Sequence, residues 1–447
     1  MAIDTFKFHA GTEDKVLVTI DGKAGDMLKG EGIDFKFLLQ GKEVGYLGKI
    51  FKREIIAKGP FSFSGRLIDP SASTYTFSDL QLQTVDSDIN GQVLFDLTEK
   101  RPRIAGRLSS QKLDLRPYLT ESDDDASPVT QNEAPAKRDR KVFSSEPFNL
   151  KALKVCDADI EIDAGILLLP RVAMDDLSVK IVLENGELSL KPLQFKTGGG
   201  TAEGHIKLIS QKNPPSLTIN LKLNDYDVDK MMSDLGVNRD IGGTVNASID
   251  INGPFASLSA FMAGLNGYSV ASIENGRINN RYIGTFYGDL RSTLMGILTP
   301  LTKKEDEFID LNCMVPAIEI KDGLAQLGIL LDTSQTTVIA SGKINLKTEQ
   351  VDITLKPQPK STVKVGKQAR VGFSLSQLTR PFKMGGTLAK PSLEIDPTQT
   401  ALTFGKLIGG LALGPYGIAL VFSDIEIGGE GENVCVKALE AVEKKAE

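Results

Sequence analysis

Along most of the chain, apolar residues alternate with polar ones at period two, the spacing of a strand with one oily face. Residues 90–115, NGQVLFDLTEKRPRIAGRLSSQKLDL, show it plainly. Val93, Phe95 and Leu97 alternate with polar neighbours, and after a polar turn Ile104, Gly106 and Leu108 repeat the pattern. This predicts an antiparallel hairpin. The same alternation runs through Val179, Ile181 and Leu183, and through Val245, Ala247, Ile249 and Ile251. Val351, Ile353 and Leu355 continue it, with Asp352, Thr354 and Lys356 on the other face. Asn-Gly in LENGELSL (183–190) and IENGRIN (273–279), and Asp-Gly in IEIKDGLAQLGI (318–329), are strong two-residue turn signals. Together they predict long antiparallel meanders with one wet side.

An internal repeat supports that reading. A gapless shift of 113 residues (204 − 91) lays GQVLFDLTEKRPRIAGRLSSQKLDLRPYL over GHIKLISQKNPPSLTINLKLNDYDVDKMM. Gly91 meets Gly204, Pro102 meets Pro215, Ile104 meets Leu217, Leu108 meets Leu221 and Asp114 meets Asp227. Upstream, Leu80, Leu82 and Thr84 meet Leu193, Phe195 and Thr197. Each copy is expected to end in a short turn or helix, LDLRPYL or YDVDKMMSDLG.

Three segments depart from the alternation. Residues 120–141, TESDDDASPVTQNEAPAKRDRK, are polar and aperiodic and predict a mobile excursion. The acidic run Asp123–Asp125 lacks EF-hand spacing and reads as a solvated loop. In 283–301, Ile283, Phe286, Tyr287, Leu290, Leu294 and Leu298 fall at helical spacing, which predicts an amphipathic helix on the sheet or across its opening. Residues 401–422, ALTFGKLIGGLALGPYGIALVF, are apolar apart from Lys406 and just long enough to span a bilayer. Glycines and Pro415 divide them, so a helical hairpin or interfacial patch is the better reading. Candidates for membrane contact are Phe404, Leu407, Ile408, Leu411 and Leu413, then Ile418, Leu420, Val421 and Phe422.

Composition narrows the class. In 447 residues, 41% are apolar and 25% charged, the range of folded soluble domains. Forty-three glycines, 6% aromatics and no Trp suit turns and strands better than a helical bundle. A net charge of −6 and a pI near 5.4 argue against a nucleic-acid partner. The three cysteines, Cys156, Cys313 and Cys435, make no C-x-x-C pair, so neither a disulfide framework nor a zinc site is expected. MAIDTFKFHAGTEDK lacks a basic start followed by an apolar run, so no signal peptide is visible.

Chemistry is sparse. Of two histidines, His205 shares strand parity with Lys207 and is expected to face water, and His9 has no recognisable partner. No P-loop, G-x-S-x-G or H-E-x-x-H occurs, and TGGGT (197–201) precedes no helix, so it reads as a bulge or a tight β-turn. The carboxylates are scattered over polar strand faces. The sequence therefore predicts no enzyme, with no catalytic, cofactor or metal site.

The oily faces need an account. Each must be covered by another sheet, by helices or by a ligand. The few helices expected are too few to blanket some two dozen strands of about five or six residues. Either the sheet doubles into a dry sandwich, or it curls into a trough able to shelter hydrocarbon. Candidate lining residues are Leu80, Leu82, Val93, Phe95, Leu97, Ile104 and Leu108 in the first half. Phe195, Ile206, Leu208, Leu217, Ile219 and Leu221 follow, then Ile344, Leu346, Ile353 and Leu355. Any one of them fits ordinary core packing equally well; the expectation concerns the surface as a whole.

Residues 142–209 run VFSSEPFNLKALKVCDADIEIDAGILLLPRVAMDDLSVKIVLENGELSLKPLQFKTGGGTAEGHIKLI. Phe143 to Leu153, Asp157 to Ile162, Leu183 to Leu193 and Gly199 to Gly204 carry motifs that resemble the C-terminal region of AsmA family proteins. DINGPFASLSAFMAGLNGYSVASIENGRI (250–278), residues 328–360, MGGTLAKPSLEIDP (384–397) and the GGEGENVCVKAL tail continue the likeness, which covers about residue 60 onward. Cys435 stands where a late cysteine is common in that family.

The resemblance implies a Gram-negative envelope protein of the periplasm, tethered to the inner membrane by an N-terminal helix absent from this sequence. It also implies a bridge-type β-groove carrying phospholipid or another acyl lipid between inner and outer membranes. The expected fold is all-β with minor helices, an elongated curled antiparallel sheet forming an open apolar groove. Expected divisions are an N-terminal groove segment at 1–119, the loop at 120–141, an AsmA-like region at 142–400 and an apolar helical tail at 401–447. The alternative is a non-enzymatic scaffold or assembly factor for outer-membrane proteins. A glycan-active enzyme is disfavoured because paired acids with aromatic platforms are not evident.

Overall fold

A computed structural model describes residues 3–12, 14–26, 31–47, 58–118, 141–170, 172–234, 241–279, 307–333, 336–359, 382–394, 435–436 and 438–439. Its described residues are mostly strand, with few helices. Two compact units divide the chain. The first comprises Met1–Ala136, Asn149–Thr197 and Thr201–Asn213; the second comprises Lys137–Phe148, Gly198–Gly200 and Pro214–Glu447. That division falls inside the second copy of the repeat. The loop at 120–140, the helix expected at 283–301 and the apolar stretch 401–422 all lie outside the described residues.

The first unit opens with β1 (Ile3–Gly11), β2 (Leu17–Ala24), β3 (Asp34–Gly41), β4 (Phe61–Ser71), β5 (Thr74–Gln83), β6 (Asp88–Asp96) and β7 (Arg103–Asp114). Each pairs antiparallel with the next, and the hairpin expected at 90–115 is β6–β7, with Val93 opposite Gly106 and Phe95 opposite Ile104. One expectation fails at the next step. β8 (Asp157–Leu169) lies parallel to β7, Arg103 beside Asp157 and Leu108 beside Ile162. The chain leaves β7 through a 3-10 turn, Arg116–Tyr118, and comes back at the start of that strand rather than its end. Arg101 fixes the return, donating to Asp157 Oδ1 at 2.5 Å and to the carbonyls of Leu153 and Cys156 at 3.0 and 2.9 Å. A hairpin reading of the alternation cannot see such a crossover. Antiparallel pairing then resumes through β9 (Val172–Glu184) and β10 (Glu187–Thr197), followed by β11 (Gly200–Ile209).

The repeat is visible in backbone detail. The ladder slips between Phe77 and Leu80 in β5 and between Leu190 and Leu193 in β10, which are equivalent positions (190 − 77 = 113). In one copy Asp79 takes a φ of +50°; in the other Pro192 has no N–H to give, and both produce a bulge. Downstream, the Asp114 N–H donates to Ser87 Oγ at 2.9 Å and the Asp227 N–H to Gly198 O at 3.0 Å, stitching equivalent turns.

The second unit is a meander of β12 (Ser216–Asp227), β13 (Ile241–Pro254), β14 (Asn266–Asn279), β15 (Phe308–Lys321), β16 (Leu324–Thr333), β17 (Thr336–Asn345), β18 (Gln350–Pro359), β19 (Phe382–Thr387) and β20 (Lys390–Glu394). All eight successive pairings are antiparallel. Asn185-Gly186 and Asp322-Gly323 make the expected hairpin turns, at φ of +49° and +74°, and of +48° and +73°. Asn275-Gly276 does not. β14 runs straight through it, and Asn275, with φ +49°, forms a bulge against β13 because both neighbouring strands continue past it.

Residues 142–148 cross the turns at one end of this unit. Glu349, buried, accepts from the N–H groups of Val142 and Phe143 at 2.8 and 3.0 Å. Farther along, the Ser259 N–H donates to Ser144 O at 2.8 Å and the Phe148 N–H to Ala256 O at 2.9 Å. Phe148 stacks on Phe255 with centroids 4.3 Å apart. The short helix Leu258–Ala263 begins there, with Ser257 Oγ accepting from the Ala260 N–H at 3.1 Å. The FSSEP segment at 143–147 is thus a strap.

The cysteine reading is corrected as well. Cys313 and Cys435 form a disulfide, Cα atoms 6.4 Å apart and 122 residues apart in sequence. It joins β15 to helical residues at 435–436 and 438–439, where Cys435, Ala438 and Leu439 pack on Val315, Ala317, Leu330 and Ile339. Sequence spacing carried no sign of it, since the pair meets only once β15 and the tail are docked. Cys156 is free.

Candidate functional site

Registers show which residues share a face. In the first unit one row crosses every strand from β1 to β10: Phe6, Gly22, Phe35, Leu67, Phe77, Val93, Gly106, Ile160, Ile181 and Leu190, each opposite the next. A parallel row runs Tyr75, Phe95, Ile104, Ala158, Leu183 and Leu188. In the second unit another row links Leu221, Ile249, Ser269, Ile318, Leu327, Gly342, Ile353 and Met384. No position in these rows carries a charge. In the first unit's long row the apolar side chains are half-buried, neither in a dry core nor freely in water.

Most sequence candidates fall on these faces. Leu80, Leu82, Val93, Phe95, Ile104 and Leu108 lie on the apolar face of β5–β7. Phe195 and Ile206 pack on the Leu177–Val179–Leu193 cluster, and Leu208 and Leu217 are buried. Ile219 and Leu221 sit opposite Ile251 and Ile249. Ile344, Ile353 and Leu355 join the Leu327–Ala340–Val351 cluster. Two fall elsewhere. Leu97 stands past the end of β6, 47% exposed, its N–H donating to Ser73 O. Leu346 occupies the β17–β18 turn, with its N–H on Gly323 O. The membrane-contact candidates at 404–422 lie outside the described residues.

Sequence reasoning passed over the first four strands and β8. DFKFLLQG already alternates Phe35, Phe37 and Leu39, and DADIEIDA alternates Ile160 and Ile162, so period two could have found both. What it could not supply was the neighbour each residue meets.

The opposite face of the same strands is charged. Arg107 Nε donates to Glu161 at 2.8 Å, while Lys180 reaches Asp159 at 3.1 Å and Glu161 at 3.6 Å. The Arg107 guanidinium holds the Glu161 carboxyl below the usual carboxylate range, and the Asp159 carboxylate raises Lys180. These are exposed pairs that keep one face wet, and each stabilises little. Among the described residues no group of three or more His, Cys, Asp or Glu is placed to hold a metal ion. Among the described residues of these strands one face is thus uncharged and the other carries the ion pairs.

A family model described as the AsmA family matches residues 64–330. The chain belongs to the AsmA family. Among curated proteins it is similar to "AsmA family protein YhjG" of Escherichia coli (strain K12), 23% identical over 393 residues, which is 84% of this chain. The chain spans about half of that relative's length, 54%. No solved structure matches. The matched region of this AsmA family chain runs from β4 into β16, and so takes in the repeat, the strap and the parallel β7–β8 junction.

Proposed function

We propose that this protein carries phospholipid acyl chains along its apolar sheet faces, in the periplasm of a Gram-negative envelope, supporting exchange between inner and outer membranes without catalysis. One observation carries the reading: the uncharged row that crosses β1–β10 with its side chains half-buried. Each methylene sheltered on such a face is favoured by about 0.8 kcal/mol over water, which holds a hydrocarbon tail without any specific side chain. Family membership supports an envelope role, and the Cys313–Cys435 disulfide suits an oxidising compartment. Among the described residues no helix is long and apolar enough to cross a membrane.

The test is mass spectrometry of lipids that co-purify with the folded chain, joined to photocrosslinking from a probe at Phe95 or Ile219. Phospholipid adducts at both positions are expected. A protein that comes out empty and uncrosslinked would instead be an assembly factor.

A further inference from the structure

The apolar face of the first unit is not uniform. Across β1–β6 it is lined by phenylalanines whose rings touch. Phe8 lies 6.4 Å from Phe6, and Phe6 lies 5.5 Å from Phe35. On the same face of β3, Phe37 meets Phe63 at 5.2 Å and Phe77 at 6.0 Å, and Phe77 meets Phe95 at 5.6 Å. Phe37 and Phe77 stand two strands apart. They meet because Phe37 is opposite Gly65 of β4, where a Cβ would come within 3.0 Å of the Phe37 ring. From β7 to β9 the same face is aliphatic, with Ile104, Ile160 and Ile181 in place of rings, and β10 adds Leu190 and a single ring, Phe195.

We infer that this phenylalanine stripe is a holding site for one phospholipid acyl chain, distinct from the aliphatic stretch beside it. The inference rests on the lipid-carrying function proposed above. Three observations choose that occupant. The rings are half-buried, with Phe8 44% exposed, so contact area is left over for a ligand. The named face carries no charge, whereas the other face of the same strands holds the Lys7–Asp21 and Arg66–Asp34 pairs, so only a neutral partner matches it. A peptide laid on rings would leave its own amide groups without partners there. Length suffices too: five strand spacings of about 4.8 Å make about 24 Å, more than the about 15 Å of one leaflet, half of a hydrocarbon core of about 30 Å.

The chain has no Trp, so Phe77→Trp or Ile160→Trp each gives the full protein a single reporter. Titration with vesicles of phosphatidylcholine dibrominated at mid-chain should quench the reporter at 77 at a lipid concentration at least fivefold below that needed at 160. A Phe37→Leu/Phe77→Leu pair, which keeps apolar bulk, should lower co-purifying phospholipid at least fivefold with β circular dichroism unchanged, while Ile160→Leu/Ile181→Leu should not. Equal quenching at both reporters, or retention unaffected by the Phe→Leu pair, overturns the holding site and leaves lipid carriage standing. No quenching at either, with an empty protein, overturns both. A stripe covered instead by a second copy of the chain, seen as a dimer lost in the Phe→Leu pair, also overturns it.

Discussion

The sheet of β1–β10 and the sheet of β15–β17 are written in the same alternating code, yet they differ in what covers them. In the first, one face is charged and the other is half-buried rings and aliphatics. In the second, Leu311, Cys313, Val315 and Ala317 are buried on one face of β15, while Leu327 and Ala340 are buried on the other face of the adjoining strands. Cys435, Ala438 and Leu439 make that difference by packing on the Val315 side of β15, where alternation alone would have left a wet face. Period two reports that a strand has two kinds of face; it does not report how many are dry.

Breaking the tail contact should have the largest effect. Cys435→Ser should lower the stability of the second unit by about 2–5 kcal/mol, since the bond closes a loop of 122 residues, leaving the first unit's transition unmoved. Urea unfolding followed by hydrogen exchange resolves the two. Next, Leu330→Ala, at a fully buried position, should cost about 2–5 kcal/mol. Ile160→Ala, half-buried on the open face, should cost about half as much or less, because little cavity is left behind. Equal losses at the two sites would mean that both faces are equally dry.

A smaller effect separates ionic from apolar support. The Arg116 guanidinium beside Asp114 holds that carboxyl below its ordinary value. A depressed folded value means the contribution is present above the unfolded carboxylate pKa and is lost as pH falls through the folded one. Asp114→Asn should therefore remove a portion of the acid sensitivity of the first unit below about pH 4, by about 1 kcal/mol or less. Thermal melts at pH 7 and pH 3 read it. Smallest of all, Arg107→Ala should leave the melting point nearly unmoved, as its pair with Glu161 is exposed.

Much of this was legible beforehand. The β6–β7 hairpin, the turns at Asn185 and Asp322, the two copies of the repeat, and the 3-10 turn Arg116–Tyr118 and short helix Val228–Asp234 that end them all follow from alternation and turn chemistry. Asn275 misled because a left-handed Asn serves a bulge as well as a turn. The parallel β7–β8 pair was hidden behind an excursion, and the Cys313–Cys435 bond behind its length. The phenylalanine stripe was half visible, since each ring could be placed on a face while the contact over Gly65 needed the register.

Sequence by itself determined where each strand's apolar side lies, because side chains in an extended backbone alternate whatever surrounds them. Tertiary structure alone decided which of those sides meet and which stay open. Register and coverage depend on neighbours distant in sequence, and no local pattern encodes a contact that forms only when the second partner arrives.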